Sequence, residues 1–528
     1  MRSTPESKGT WHNAVVQTMN SHSSVSGAVI SAKDFIGRPP VVTSVHRSFS
    51  VGRYEGEAEY ARLKDAARQA LPEQFSEAGR DHLQADTSSL KPSVIFSTPR
   101  LPSDFAGLNV SGRRPADCSI AAGPSHLATI TSTAWAVFDK AGNQILCADL
   151  ETWFANVATN TVIFNPRVIY DQFCGRWLIV ACGRSADQKG SCFLISFSQT
   201  RNPTGAWWNW SLDAELIGSQ SAGYLADSLG VGLDNSALYL TANMFDVNGG
   251  FQYAKLRIIS KSEMIAGGPL QWRDCRDLRN PDGSPVFGLQ PAHTFGTPGI
   301  EYLLNATSEG QSLTQWRLTQ PLSQSPQLAL RTLPTVSYHL APNARQPGTR
   351  VEIETGDTRL GNVVFRNGSL WTTHTVAVNW DEPATVSAIQ WFQINTGAGT
   401  ISQQHIYGHP SFYYFCPTVM VDGRGNLMMV FNRVSETEYP SIRFTGRLST
   451  DATGLLHASV PLRESLVSGP SEWGSYNGAA VDTNDTKIWI IGQYAASETE
   501  CGTWIGETSY MAGSSEGGTR TTRPALVI

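Results

Sequence analysis

Charge is scarce in this sequence. Only 16% of the 528 residues are Asp, Glu, Lys or Arg, and the formal net charge is −5. No basic footprint suited to a phosphate backbone or an anionic lipid surface is present, which excludes nucleic acid as a partner class. No run of 18 or more apolar residues occurs, so no membrane-spanning helix is expected. The opening MRSTPESKGTWHNAVVQTMNSHSS lacks the apolar segment of a signal peptide. The expectation is a cytoplasmic chain, or one numbered from beyond a leader. The eight cysteines show no CxxC spacing, which excludes a zinc ribbon or a dithiol redox motif. Cys174 and Cys182 could face each other across a hairpin, but the reading taken is of free, buried thiols. Metal signals are thin as well: DTNDT (482–486) and VDGRGN (421–426) look like calcium loops yet lack the carboxylate spacing of an EF-hand. They equally match hairpin turns, where Asp, Asn and Gly are favoured. Calcium stays open as the one cofactor.

Hydrophobic residues make up 41% of the chain and aromatics 10%, enough for a large core. Residues 1–52 carry no sustained period and read as an extended or flexible arm, able to reach a neighbouring subunit and so to support a homo-oligomer. Residues 53–89 read as a helix and linker. GEAEYARLKDAARQAL (56–71) gathers strong helix formers with alanines and leucines on one side, and Pro72 closes it.

From about residue 90 the pattern becomes short β-type runs punctuated by Gly, Asn, Asp and Pro. A strand, turn, strand unit recurs at 117–132, 166–183, 227–243, 292–308, 361–376, 417–433 and 477–494, and a further strand-like run follows each copy. The copies start about 50 to 70 residues apart, the spacing of four-stranded propeller blades. Small residues such as Ala121, Gly230, Gly232, Ala479 and Ala480 in the first strand of a copy suit blades that crowd around an axis. The expected fold is all-β, a seven-bladed β-propeller over 90–510 with an N-terminal arm and one short helix. PSVIFST (92–98) is expected to supply the strand missing from the last blade, and 511–528 to form a tail.

The series DCSIAAGPSHL, AWAVFDKAGN, NPRVIYDQFCGRWLIV, SFSQTRNPTGAWWNWSLD and YLTANMF, spanning roughly 110–265, resembles a group of largely uncharacterised bacterial β-propeller proteins, usually exported and similar in appearance to the sialidase-like superfamily. The later blades match only by pattern. The resemblance implies a propeller and a cell-surface or extracellular setting, and it brings no catalytic residues. A sialidase would need an arginine cluster and Ser-x-Asp-x-Gly-x-Thr-Trp boxes; only Arg167 opens an inner strand and no such box occurs. A carotenoid oxygenase would need four inner-strand histidines; only His293 is so placed.

In a propeller the first residues of the inner strands ring one mouth of the channel. That ring would hold Asp117, Asn165, Arg167, Asp227, His293, Asn362, Tyr413, Tyr414 and Asn477, a polar set able to bind a sugar, a carboxylated ligand or a cation. Asp117, Asp227 and His293 are the candidate acid, base and general-base groups. Each has a structural reading too: Asp favours turns, and a strand histidine or a Pro-flanked arginine often serves packing. Trp208 and Trp210 in GAWWNWSLD share one strand face, available for stacking on sugars or for a blade core, and Trp207 takes the other. The leading reading is a binding or assembly module that presents a polar funnel to a glycan or protein partner. The competing class is a carbohydrate-active hydrolase or lyase working at the mouth.

Overall fold

A computed structural model of the chain describes residues 10–14, 17–20, 24–37, 53–69, 81–89, 99–110, 116–217, 220–221, 223–307, 310–380 and 384–510. Strands dominate, and the longest described helix, α1 (Glu57–Gln69), falls inside the stretch read as helical. Glu57 and Glu59 in its first turn and Arg68 in its last complement the helix dipole. Two shorter helices, Leu150–Phe154 and Lys261–Ala266, follow strands directly. Asp149 caps the first by accepting the Thr152 N–H.

Each of the seven repeats forms an antiparallel pair, and the run after it adds a third strand. In the first unit Ser119–Ala122 pairs with His126–Ile130, and Ala134–Asp139 and Gln144–Asp149 follow in order. The later units open with Thr161–Asp171, Leu225–Leu233, Gln290–Thr294, Val363–Arg366, Tyr413–Val421 and Gly478–Val481. Every residue of Ala237–Phe245 and of Tyr413–Val421 is buried, as expected of strands covered on both faces. The coverage comes from neighbouring units. Along Ala206–Asp213, Trp207 turns toward the first unit and meets Trp135 and Trp153 edge-on, at 5.3 and 5.6 Å between ring centroids. Trp208 and Trp210 turn the other way, into the core shared with the third unit.

The opening strands of the units contact one another in chain order, and the last contacts the first. They do not form a single closed sheet. Those of the third, fourth and fifth units pair in parallel, through Leu233 with His293 and through Ala292, His293 and Thr294 with Val363, Val364 and Phe365. Elsewhere side chains bridge the gap. Ser119 Oγ lies 3.3 Å from Val168 N and 3.4 Å from Val168 O. Asn362 Nδ2 donates to Val419 O at 2.8 Å, and its Oδ1 accepts Val419 N–H at 3.1 Å. Asn477 Nδ2 donates to Cys416 O at 2.9 Å while Thr418 Oγ1 donates to Asn477 O at 2.9 Å.

The unit that opens at Gly478 continues with Lys487–Ala495 and Cys501–Ser509, and its fourth strand is Arg100–Val110, antiparallel to the last. The strand expected at 92–98 lies outside the described residues, as does the tail 511–528. The described part of the arm pairs with its own chain. His12–Asn13 joins the fourth unit at Gln327–Tyr338, Gln17–Asn20 the third at Trp272–Arg276, and Ala28–Ser31 the second at Ala206–Asp213. Ile36 then bridges to Leu146 in the first. Leu83–Ala85 runs parallel to Thr400–Gly408 of the fifth. Segments that precede residue 90 thus add a strand to the outer edge of the second to fifth units and a single bridge to that of the first.

Close approach around the axis explains the small residues of the opening strands. A methyl group at Gly232 would stand 2.5 Å from Ala292 O and 2.7 Å from Pro291 Cβ, inside van der Waals contact. Gly232→Ala should therefore push the third and fourth units apart and destabilise the fold by on the order of 1–3 kcal/mol. Urea unfolding followed by tryptophan fluorescence would show this as a lowered midpoint with an unchanged slope; an unchanged midpoint would refute the tight approach.

Candidate functional site

A cavity of about 370 Å³ occupies the middle of the fold and is lined by residues from the opening strand of every unit. Tyr170, Gln172, His293, Phe295, Arg366, Asp482 and Asp485 carry its chemistry. All of them lie late on an opening strand or just beyond it. A smaller cavity of about 100 Å³ lies on the side where the opening strands begin, walled by Asn165, Ser228, Cys416, the 354–361 segment and the 473–476 segment.

That second side is covered. Lys64 of α1, 2% exposed, donates to Thr355 Oγ1 and to Gly356 O, both at 2.7 Å. Arg53 pairs with Glu354 and Asp357, Arg68 pairs with Glu352, and Tyr60 Oη donates to Glu354 at 3.2 Å. Burial drives the Lys64 amine well below its ordinary pKa, so the group tends to neutrality against these carbonyl and hydroxyl acceptors.

The residues singled out from the sequence divide accordingly. Asp117 is buried with φ 46°, accepts Ser475 N–H at 2.8 Å and Asn165 Nδ2–H at 3.2 Å, and has its pKa raised, chiefly by burial. Asn165, at φ 47°, accepts the Ser228 N–H at 3.1 Å. Asp227 is buried beside it, close enough for its charge to raise the Asp117 pKa. Neither aspartate lines either cavity, whereas His293 lines the central one. The three are not gathered at one pocket. Asn362 and Asn477 are engaged in the inter-unit bonds described above, and Asn477 also donates to Asn432 Oδ1 at 3.0 Å. Tyr413 and Tyr414 are buried; Tyr414 Oη donates to Asp86 at 3.0 Å. Trp210 is fully buried and donates to Gly268 O at 3.1 Å, while Trp208 packs against Gly267.

Arg167 is the exception that spans both cavities. Its guanidinium lies 3.0 Å from the centroid of the Tyr476 ring, and its buried Nη1 has no hydrogen-bond partner among the described residues. Burial lowers its pKa to about 9, opposed by the charge of Asp117.

In the central cavity His293 stacks on Phe295 at 4.6 Å, and its Nε2 lies 3.3 Å from Gln172 Oε1. Gln172 Nε2 donates to Thr294 O at 3.0 Å, carrying the turn of the second unit across to the fourth. The Tyr170 ring meets Trp177 edge-on at 5.0 Å, and its hydroxyl bonds to no described group. Asp482 is held by Lys140 Nζ at 2.7 Å and Trp489 Nε1 at 2.9 Å; Asp485 pairs with Arg366. Of the two loops considered for calcium, 482–486 has its carboxylates held by Lys140, Trp489 and Arg366, and in 421–426 Asp422 Oδ1 accepts the N–H groups of Arg424 and Asn426, both at 2.9 Å. No group of three His, Cys, Asp or Glu suited to a metal ion is found among the described residues. None of the eight cysteines is in a disulfide. No described helix is long and apolar enough to cross a membrane. Tyr170, Gln172, Phe295 and Arg366 were not singled out from the sequence; the signal for them was their place at the turn end of each opening hairpin.

No family model and no curated protein matches the chain. Among solved structures it is similar to a Trypanosoma rangeli sialidase bound to the inhibitor DANA, at 8% identity and TM-score 0.37, covering 77% of this chain and 60% of that one. It is also similar to a protein of unknown function from Dyadobacter fermentans (10% identity, TM-score 0.39, 78% of this chain and 99% of that one) and to a thermostable family-43 glycoside hydrolase (12%, 0.31, 70% and 97%). The chain spans about three fifths of the sialidase's length. Likeness at these scores assigns no residue and no reaction.

Burial, reinforced by Arg366 and Lys261, lowers the His293 pKa to about 4 against the opposing charge of Asp171. An unfolded histidine binds its proton near pH 6.5, so between pH 6.5 and about 4 the unfolded chain holds the extra proton and stability falls as pH drops. His293→Asn should flatten that part of the stability–pH curve, and NMR titration of the wild-type ring should show it neutral down to about pH 4. Titration near pH 6.5 would contradict the enclosure.

Proposed function

We propose that the chain is a seven-bladed β-propeller that binds a glycan in its central cavity without cleaving it. The propeller reading is supported by seven successive antiparallel units whose opening strands contact in order and return to the first. The observation that carries the ligand reading is the cavity's chemistry. It offers aromatic surface at Tyr170 and at the His293–Phe295 stack, beside a phenol hydroxyl without a described partner and an imidazole held neutral. Its two carboxylates are each matched by a cation, Asp482 by Lys140 and Asp485 by Arg366. Ring faces beside neutral hydrogen-bonding groups suit a sugar, whose C–H faces stack and whose hydroxyls both donate and accept. About 370 Å³ is room for one or two sugar rings.

Hydrolysis asks for two carboxyl groups at about 5 to 9.5 Å across the scissile bond, one of them free to protonate the leaving group. The cavity's aspartates are engaged by cations, and Asp117 and Asp227 are not part of its wall. Binding without turnover fits this arrangement better.

A thermal-shift screen against neutral oligosaccharides should find a ligand that raises the Tm of the wild type and does so less, or not at all, for Tyr170→Ala and Gln172→Ala. Incubation with that ligand should release no reducing ends. Reducing-end release that is lost in His293→Ala would replace the binding reading with a hydrolase, and absence of any shift across the panel would remove the glycan.

A further inference from the structure

Between the fifth and sixth units lies another cavity, of about 310 Å³. Arg366 and Arg447, 8% and 3% exposed, form its charged wall, together with Trp371, Gln393, Gln403 and Ser449. No aspartate or glutamate lines it. Arg366 also lines the central cavity, so the two spaces share that side chain as a partition.

The two arginines are not equivalent. Arg366 has Asp485 as its counter-ion. Arg447 donates through Nε to Leu455 O at 3.2 Å and through Nη2 to Asp451 O at 3.0 Å and Ala452 O at 3.3 Å, all of them carbonyls. Its Nη1 donates to no described group, and no carboxylate lies within ion-pairing distance of it among the described residues. The acidic side chain of the same loop, Asp451, is engaged elsewhere, by His457 Nε2 at 2.9 Å and Leu448 N–H at 2.6 Å. On the facing wall, Gln403 donates to Gln393 Oε1 and accepts the Gly454 N–H, which fixes both amides.

The charge of Asp451 favours the Arg447 cation from beyond contact distance, but no carboxylate reaches the cavity face of the guanidinium, and an N–H without a described acceptor pairs with oxyanions more strongly than with any neutral acceptor. The geometry points to an oxyanion subsite: the cavity between the fifth and sixth units takes the carboxylate or sulfate group of an acidic sugar whose neighbouring ring lies in the central cavity. This inference rests on the glycan reading of the central cavity and narrows it, making the ligand an acidic oligosaccharide.

The test is a calorimetric titration of the full chain with inorganic sulfate, trigalacturonate, neutral galactotriose and a monosulfated galactotriose. It is run on the wild type, Arg447→Gln and Ser449→Asp. Arg447→Gln removes the idle donor but also disturbs the 451–455 loop that the guanidinium braces. Ser449→Asp leaves those bonds alone and sets a negative charge at an exposed position on the cavity's rim. The expected result is that sulfate saturates the wild type, and that the acidic trisaccharides bind it about ten-fold or more tighter than galactotriose. Both variants should lose sulfate and bind acidic and neutral trisaccharides alike, with galactotriose affinity unchanged. A larger gain for trigalacturonate than for the sulfated sugar identifies carboxylate as the group held, and the reverse order identifies sulfate. Equal wild-type affinity for acidic and neutral sugars, no sulfate binding, or an acidic preference that survives in both variants would each overturn the subsite. Sulfate binding that depends on Arg447, with no trisaccharide bound, would sustain the oxyanion pocket and overturn the glycan reading of the central cavity.

Discussion

The edges of the opening strands are the constraint on which this architecture depends. The seven opening strands contact one another in order, and each arrives with backbone N–H and C=O groups that need partners and, in most cases, is not aligned with its neighbour for a ladder. Only the third, fourth and fifth units solve the problem by parallel pairing. The others solve it with short polar side chains: Ser119 against Val168, Asn362 against Val419, Asn477 and Thr418 across the sixth and seventh units. Positive-φ residues at Asp117, Asn165, Ser228 and Cys416 mark where four of these strands kink as they enter. The pairing register breaks at the same places in three of them, between Phe164 and Arg167, Asp227 and Gly230, and Phe415 and Thr418.

This accounts for why the polar residues at the strand starts hold the units together. Asp117, Asn165, Asn362 and Asn477 tie strands together, Asn362 and Asn477 also lining the central cavity, and α1 with the 352–357 segment covers the end where Asn165 lies. The central cavity carries polar and aromatic side chains at the opposite end of these strands. There the strands run into hairpin turns, and Tyr170, Gln172 and Arg366 at or near those turns line the cavity, Gln172 and Arg366 also donating to the backbone of a neighbouring unit.

The hairpins themselves were legible from sequence because they obey a local rule: alternating or continuous apolar runs around Asp, Asn and Gly turns, as in VDGRGN and DTNDT. The helix at Glu57–Gln69 was legible for the same reason. What escaped was non-local. The docking of α1 joins Arg53, Lys64 and Arg68 to partners nearly three hundred residues away, and no short window contains both halves of those pairs. The strand Arg100–Val110 escaped for a different reason. RLPSDFAGLNV mixes Pro, Gly and charge with alternating exposure, as an outer edge does, and is a weaker strand signal than the more apolar PSVIFST expected to supply the closing strand. Trp208 and Trp210 could be placed on one face by period alone, but whether that face was wet or dry depended on the third unit lying against it.

The covering of outer edges by early segments has a kinetic side. Asn13 pairs with Ala329, Ala28 with Asn209, and Arg100 with Ser509, so each of these earlier strands has no partner until a much later stretch of the chain exists. Loop-closure entropy has to be met before such contacts return anything, and topologies of this kind fold slowly. On a ribosome the second, third and fourth units can each assemble as local meanders, acquiring their fifth strands afterwards from a segment that emerged before any of them. The seventh unit cannot pair its fourth strand, Arg100–Val110, until the strand ending at Ser509 has left the exit tunnel, so an early strand waits through about four hundred residues of synthesis for its neighbour.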